Sequence, residues 1–246
     1  MASQTSRIDL FGGSKAWSPL DWTSSDDRVR GGSSHSTLTC SPSSPIARFH
    51  GNLDITTLGG AGFASQRTRG TDRTWDLSEY DGLELDVDRA DGKVYTITLK
   101  DEILPKRPDG REQSTLSWEY DFPAEKKERV SIKWADFKAT YRGKEKKVKT
   151  PLNLTNIKRV SIMMRRYILF PLLLNVLVAN GYSFFGTQEG DFSLEVASIS
   201  AFRTESYRDD PSEKRMSFEA TNEKEVDTFE NNKNGGLMRS CLGCCF

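Results

Sequence analysis

Histidine is nearly absent from this chain, with only His35 and His50 among 246 residues. Neither stands in a Ser-His-Asp order or a metal-ligand spacing, so triad hydrolysis and histidine-bound zinc have no basis in the sequence. Cysteine is also scarce. Cys40 is isolated, and Cys241, Cys244 and Cys245 crowd the final six residues. That is no disulfide framework, and it suits a reduced compartment such as the cytosol. An excess of either charge is missing too: Lys+Arg and Asp+Glu both number 35. A dedicated nucleic-acid binder carries a basic surplus, so nucleic acid is not an expected partner. The opening "MASQTSRIDLFGGSKAWSP" lacks the basic-then-apolar order of a secretory signal. Asp9, Gly12, Gly13 and Pro19 among Arg7 and Lys15 also spoil the basic amphipathic helix of a mitochondrial presequence.

Long hydrophobic runs are missing, with one exception. The chain is polar, with a mean hydropathy of −0.59, yet "YILFPLLLNVLVANGYSFFG" at 167–186 carries no charge. Its uninterrupted apolar part falls short of the roughly 20 residues a span needs, and Pro171 lies near its start. Three readings stand: a membrane segment, an inserted loop or buried helix, and translated intron over 166–183. The last is favoured. Arg-Tyr-Ile can be encoded with an intron-start string, Ala-Asn with a branch-point-like string and Tyr-Ser with an intron end. Joining the outer bases restores one serine codon and gives "MMRSFFGTQEGDFSLE".

What the chain does contain is short alternation. In "GLELDVDRADGKVYTITLKD" Leu83, Leu85 and Val87 share one strand face, Asp91-Gly92 supplies a turn, and Tyr95, Ile97 and Leu99 share the face of the next strand. The pattern predicts a β-hairpin. Comparable runs recur at "ARFHGNLDIT", "AGFASQRT", "LSWEYDF", "ERVSIKW", "IKRVSIMM" and "DFSLEVASISAF". Their spacing is that of an all-β sandwich, not of βαβ units. The organisation expected is an N-terminal arm over 1–16, one sandwich domain over 17–203, and a tail over 204–246. The tail is densely charged and poor in large apolar residues, which predicts disorder, and it ends in the cysteine cluster.

Enzymatic and metal motifs come out poorly. "DVDRADG" at 86–92 resembles a calcium loop, but its third acid and glycine fall one position late and its twelfth residue is Ile97, not Glu. "GGAGF" at 59–63 lacks the Lys-Ser/Thr and helix of a phosphate loop and reads as a turn. Cys241-Leu-Gly-Cys244 is half a zinc site without a second half. No metal, cofactor or catalytic residue is therefore expected. Trp75, Trp118, Trp134 and Tyr95 are candidates for a sugar-stacking platform, against the simpler reading of core between the sheets. The loop "YRGKEKKVK", with Arg142 and Lys144 foremost, is a candidate for docking an acidic partner or an anionic membrane, against a solvated loop. Clustered Cys241, Cys244 and Cys245 beside Leu242 and Phe246 suit S-acylation, and two acyl chains would give peripheral membrane contact.

A family resemblance rests on a series of motifs. "DWTSSDDRVRGGSS" carries Trp22, then Asp27, Val29, Gly31, Gly32 and Ser34 in the order Trp…Asp-x-Val-x-Gly-Gly-x-Ser. "ARFHGNLDITTLGGAGFASQRT" carries Phe-x-Gly-x-Leu and, spaced out by Ala61, a Gly-Gly-Phe-Ala-Ser segment with Gly62, Phe63 and Ser65. "WDLSEYDGLELDVDRADGKVYTITLKD" carries Tyr80, Asp81 and Gly82, followed by Asp-Gly-Lys-x-Tyr. "WADFKATYRGK" and "GDFSLEVASISAF" complete the order. Over residues 17–202 the chain resembles the complex I intermediate-associated protein 30 family. The resemblance implies a galactose-binding-like jelly-roll β-sandwich. It also implies a non-enzymatic assembly factor or chaperone for respiratory complex I, with complex I subunits or assembly intermediates as protein clients, in the mitochondrion. The residues alone leave two alternatives: a cytosolic relative with another client, and a carbohydrate- or small-ligand-binding module.

Overall fold

The computed structural model describes residues 5–41, 43–166 and 188–204. The apolar stretch at 167–186, the charged tail and Cys241, Cys244 and Cys245 lie outside the described residues. No helix among the described residues is long and apolar enough to cross a membrane.

Two antiparallel sheets pack face to face as an all-β jelly-roll sandwich. The six-stranded sheet runs β3 (His35–Cys40), β4 (Ala47–Leu53), β13 (Gly190–Thr204), β6 (Gly82–Ala90), β9 (Glu128–Lys133), with β1 (Thr5–Gly12) also paired to β13. The seven-stranded sheet runs β11 (Lys144–Glu145), β10 (Lys138–Tyr141), β8 (Ser117–Ala124), β7 (Lys93–Lys100), β12 (Arg159–Arg165), β5 (Phe63–Thr68), β2 (Trp22–Ser24). Strand side chains alternate between faces, so each apolar set points into the space between the sheets. Leu83, Leu85 and Val87 enter from one side and Tyr95, Ile97, Leu99, Val160, Ile162 and Met164 from the other, all fully buried. In β13 the register shifts at 195–198, which lets Phe192, Leu194 and Val196, and then Ile199 and Ala201, all face inward.

Two expectations are corrected. β6 and β7 are not a hairpin: β6 pairs with β13 and β9, whereas β7 pairs with β8 and β12. The Asp91-Gly92 turn carries the chain from one sheet to the other. Matching apolar faces joined by a tight turn satisfy either arrangement, because they can meet side by side or across the core. The N-terminal segment from Thr5 is also not a free arm, since Thr5–Gly12 forms β1 along the C-terminal half of β13. The reason is aromatic. Phe11 packs 4.9 Å from Trp22 and 5.9 Å from Trp75, with Trp17 at 6.0 Å, and this cluster closes one end of the sandwich. The Trp17 indole N–H donates to the carbonyl of Ala197 at 3.0 Å and ties the entry segment to β13.

Candidate functional site

The motif residues at the N-terminus form a buried polar knot. Asp27 is fully buried, and its carboxylate accepts from the Ser34 amide at 3.1 Å, the Ser34 hydroxyl at 2.7 Å and the Phe63 amide at 3.1 Å. Asp26 does the same one residue earlier, accepting from the Ser36 amide and hydroxyl and from the Ser65 amide at 2.8 Å. Together they fasten the 26–36 segment to β5, with backbone and hydroxyl donors supplying what buried carboxylates need. The glycines follow from this crowding. A Cβ on Gly32 would lie 2.3 Å from the Asp27 carboxylate, and one on Gly62 would lie 1.8 Å from the carbonyl oxygen of Asp54. Gly31 turns the chain at φ 84°. Val29 is 78% exposed and takes no part in the knot. The second motif group works similarly. The Asp81 amide donates to the Phe202 carbonyl, its carboxylate accepts from the Thr204 amide at 2.7 Å, and Gly82 lies against the Ile132 carbonyl. The Tyr80 carbonyl accepts the Trp134 indole N–H. These residues hold the sandwich together, so the motif is a signature of fold.

The tryptophans do not share an open sheet face. Trp75 joins the end cluster with Phe11, Trp118 is core on β8, Trp134 sits after β9 of the opposite sheet, and Tyr95 is fully buried. The Tyr95 hydroxyl donates to Asp91 at 2.8 Å, and burial foremost, then the Asp91 charge, push its ionisation far up. The stacking platform is replaced by packing against the core: alternation turns Tyr95 and Trp118 inward, and the partly buried Trp75 and Trp134 lie against the core from outside the strands.

What the sandwich does present is a polar outer face on the seven-stranded sheet. Thr96, Thr98 and Lys100 of β7, Arg159, Ser161, Met163 and Arg165 of β12, and Glu119 and Asp121 of β8 alternate with the core residues and point outward. In β5, Ser65 and Arg67 stand opposite Met163 and Ser161. Two ion-pair groups organise this face. In one, Arg165 crosses β7 to donate to Glu119 at 2.6 Å and Asp121 at 2.7 Å. Burial alone would weaken the Arg165 proton, but the two carboxylates outweigh it and raise its pKa. In the other, Glu112 arrives on the 101–116 loop. Its carboxylate takes a fork from Arg159, at 2.8 and 3.2 Å, and pairs with Arg67 at 3.0 Å. Burial would raise Glu112, but the Arg159 bonds and the two positive charges bring it below the usual carboxylate range. Beside them Lys100 donates to the Thr115 hydroxyl at 2.9 Å, and burial, followed by repulsion from Arg159, lowers its pKa to about 8.

Several polar atoms on these strands remain buried without a partner among the described residues: Thr98 Oγ1, Thr140 Oγ1, Arg67 Nε and Arg159 Nε. Small hydroxyl side chains floor the face and long charged ones wall it. Arg142 and Lys144 lie at its β10–β11 edge. Arg142 adopts φ 52° in the turn, its guanidinium and the Lys146 ammonium flank the half-exposed Tyr141 ring at 5.4 Å, and its Nε reaches Ser114 of the 101–116 loop at 3.3 Å. Arg67, Lys100, Glu112, Glu119, Asp121, Arg159 and Arg165 were not singled out in the sequence. Their signal was the recurrence of charge at the outward positions of apolar strands, as in "RVSIMMR".

The family model for complex I intermediate-associated protein 30 (CIA30) matches residues 10–196, which include most of both sheets and the motif residues from Trp22 to Gly82. Uncharacterized protein C9E9.15 of Schizosaccharomyces pombe is 42% identical over 198 residues, covering 78% of this chain and 82% of that protein. Among solved structures, the family 11 carbohydrate-binding module from Clostridium thermocellum in complex with a β-1,3-1,4-mixed-linked tetrasaccharide is 14% identical, with a TM-score of 0.47. It covers 83% of this chain and 98% of its own. The family 11 module of the cellulosomal cellulase Lic26A-Cel5E from the same organism is 13% identical, with a TM-score of 0.47, covering 85% of this chain and 100% of its own. A family model spanning most of the chain and a relative at this identity lead to one conclusion: the chain belongs to the complex I intermediate-associated protein 30 family.

Proposed function

We propose that this domain works by binding protein, not by catalysis, as an assembly factor or chaperone of the kind that serves respiratory complex I. The family match over most of the sandwich carries the reading. The chemistry of the outer face supports it. Its charges are paired among themselves, and both histidines of the chain sit on β3 and β4 of the other sheet. A surface of fixed ion pairs between hydroxyls suits recognition of a partly assembled polypeptide. Lys100, the amine of lowered pKa on this face, is tied to the carbonyl and hydroxyl of Thr115. The clients are complex I subunits or their assembly intermediates, and the compartment is the mitochondrion. The test is native gel electrophoresis of respiratory complexes from cells lacking the protein. Accumulated complex I intermediates are expected, and an unchanged pattern would overturn the role. If fractionation finds the protein in the cytosol, the assembly reading carries over only to a different client. In that case S-acylation of Cys241, Cys244 and Cys245 provides the membrane contact, and hydroxylamine-sensitive labelling of the tail tests it.

A second reading has its own observation. The buried, unpaired hydroxyls of Thr98 and Thr140 suit a small polar ligand such as a sugar. Specific retention on a glycan array would favour it over the protein-binding role.

A further inference from the structure

The 101–116 loop is exposed along its length from Leu104 to Ser114, and no residue of that stretch belongs to the core. Its bonds within itself run from Arg107 to Arg111 and from Gln113 to Pro105. Its bonds from the tip to the sandwich are two: Ser114 to Arg142, and Glu112 to the pair of arginines. One of those arginines, Arg159, has only 4% of its side chain exposed. An arginine so deeply placed needs an anion, and the anion comes from a surface loop rather than from a neighbouring strand. The cradle is not filled by it. Arg67 and Arg159 bring two positive charges against the single negative charge of Glu112, and the Nε atoms of both arginines have no partner among the described residues. The nearest other carboxylates on the face, Glu119 and Asp121, are occupied by Arg165.

We infer that the Arg67–Arg159 cradle is a docking site for an acidic segment of a client protein, and that Glu112 holds the place of the client's carboxylate until it arrives. The exchange is chemically even, since one carboxylate leaves the two guanidinium groups as another enters. Releasing residues 104–114 uncovers little apolar surface beyond Leu104, which is already 37% exposed, so the ion pair itself is the main resistance. The unpaired Nε–H groups and the surplus positive charge favour a segment with more than one carboxylate, which a loop bearing a single glutamate cannot match. The β10–β11 turn with Arg142 and Lys144 lies on the loop's far side and extends the positive edge along which such a segment would lie. This inference rests on the protein-binding reading and names the kind of client surface recognised.

The experiment uses the full chain and a fluorescent decaglutamate peptide, followed by polarisation at low and at physiological salt. Glu112→Gln removes the place-holder, and binding is expected to tighten about tenfold, the worth of one charge-assisted contact. Adding Arg67→Gln to that variant should abolish the gain, whereas adding Arg142→Gln should change it by less than about twofold, as for a screened rim charge. Thermal unfolding checks that each variant is folded. It also gives an independent readout, because the peptide should raise the midpoint of Glu112→Gln more than that of the unaltered chain. Equal affinity of Glu112→Gln and the unaltered protein overturns the inference, and so does a gain that survives Arg67→Gln. Capture of inorganic phosphate with no peptide binding also overturns it, in favour of a small-anion site. Complex I assembly in cells separates the two ideas. Normal assembly with Arg67→Gln, where deletion blocks it, sinks the cradle alone. A deletion without effect sinks the assembly role while leaving the peptide result standing.

Discussion

Asp27 and Val29 lie two residues apart in the same motif, yet their environments predict opposite consequences for substitution. Asp27→Ala removes the acceptor for two backbone amides, Ser34 and Phe63, and for the Ser34 hydroxyl. The hydroxyl keeps a partner in the Asp54 backbone, with its oxygen 3.1 Å from the Asp54 carbonyl and 3.0 Å from the amide. The two amides have no such alternative within the knot. Each buried, unpaired N–H costs about 1–3 kcal/mol, so the substitution should destabilise the fold by about 4 kcal/mol. That is a large fraction of the roughly 5–15 kcal/mol by which a domain is stable. In urea unfolding followed by tryptophan fluorescence, a slope of about 2–3 kcal/mol per molar, the upper part of the usual range as suits a domain of this size, puts the midpoint shift at about 1.3–2 M. Trp22 sits at the start of the knot segment and should report it. Asp27→Asn keeps one acceptor oxygen but turns a donor toward one of the amides, so about half the loss is expected. Val29→Ala, at 78% exposure, should move the midpoint by less than about 0.3 M. Equal effects at the two positions would refute the structural reading of the motif and point to a binding role for the exposed valine.

Three further outcomes are expected. Lys100 has a folded pKa of about 8 against an ordinary 10.5, so the unfolded chain binds more protons between those values and stability rises with pH across that window. Comparing urea midpoints at about pH 7.5 and about pH 9.5 in a Cys40→Ser background should show this rise, and Lys100→Met should flatten it; the background removes the Cys40 thiol, whose raised pKa acts with the opposite sign in this window, and the range stays below the titration of Tyr95, which also opposes it. Phe11→Ala should cost about 3–5 kcal/mol, as a buried aromatic does, whereas an unpaired arm would lose almost nothing; thermal or urea unfolding decides. A chain in which one serine replaces residues 166–183 should fold with an unchanged midpoint, because the Gln188 side chain already donates to the Arg165 carbonyl and brings the two flanks together. Sequencing of cDNA should show the same junction, and tryptic peptides from cells that read through "YILFPLLLNVLVANGYSFFG" would refute it.

The amino-acid sequence alone determined most of the long strands, their inward faces and the family. Each of these is written locally, in alternation with a period of two and in motifs whose residues sit close together in the chain. Leu83, Leu85 and Val87 and then Tyr95, Ile97 and Leu99 were legible as buried faces. Which partner each strand would take was not legible, because a turn and two apolar faces fit a hairpin and a sheet-to-sheet crossing equally well. β1 was missed for a similar reason: its pairing depends on β13, almost the whole chain away, and on a cluster of rings that no local pattern announces. The tryptophans were visible as residues but not as surface or core. The cradle of Arg67, Glu112 and Arg159 was the least legible feature. Its members come from two strands and a loop, and charge becomes a site only when folding withdraws it from water and sets it within hydrogen-bond distance. Local chemistry settled what each segment is, and tertiary packing alone decided what each segment meets.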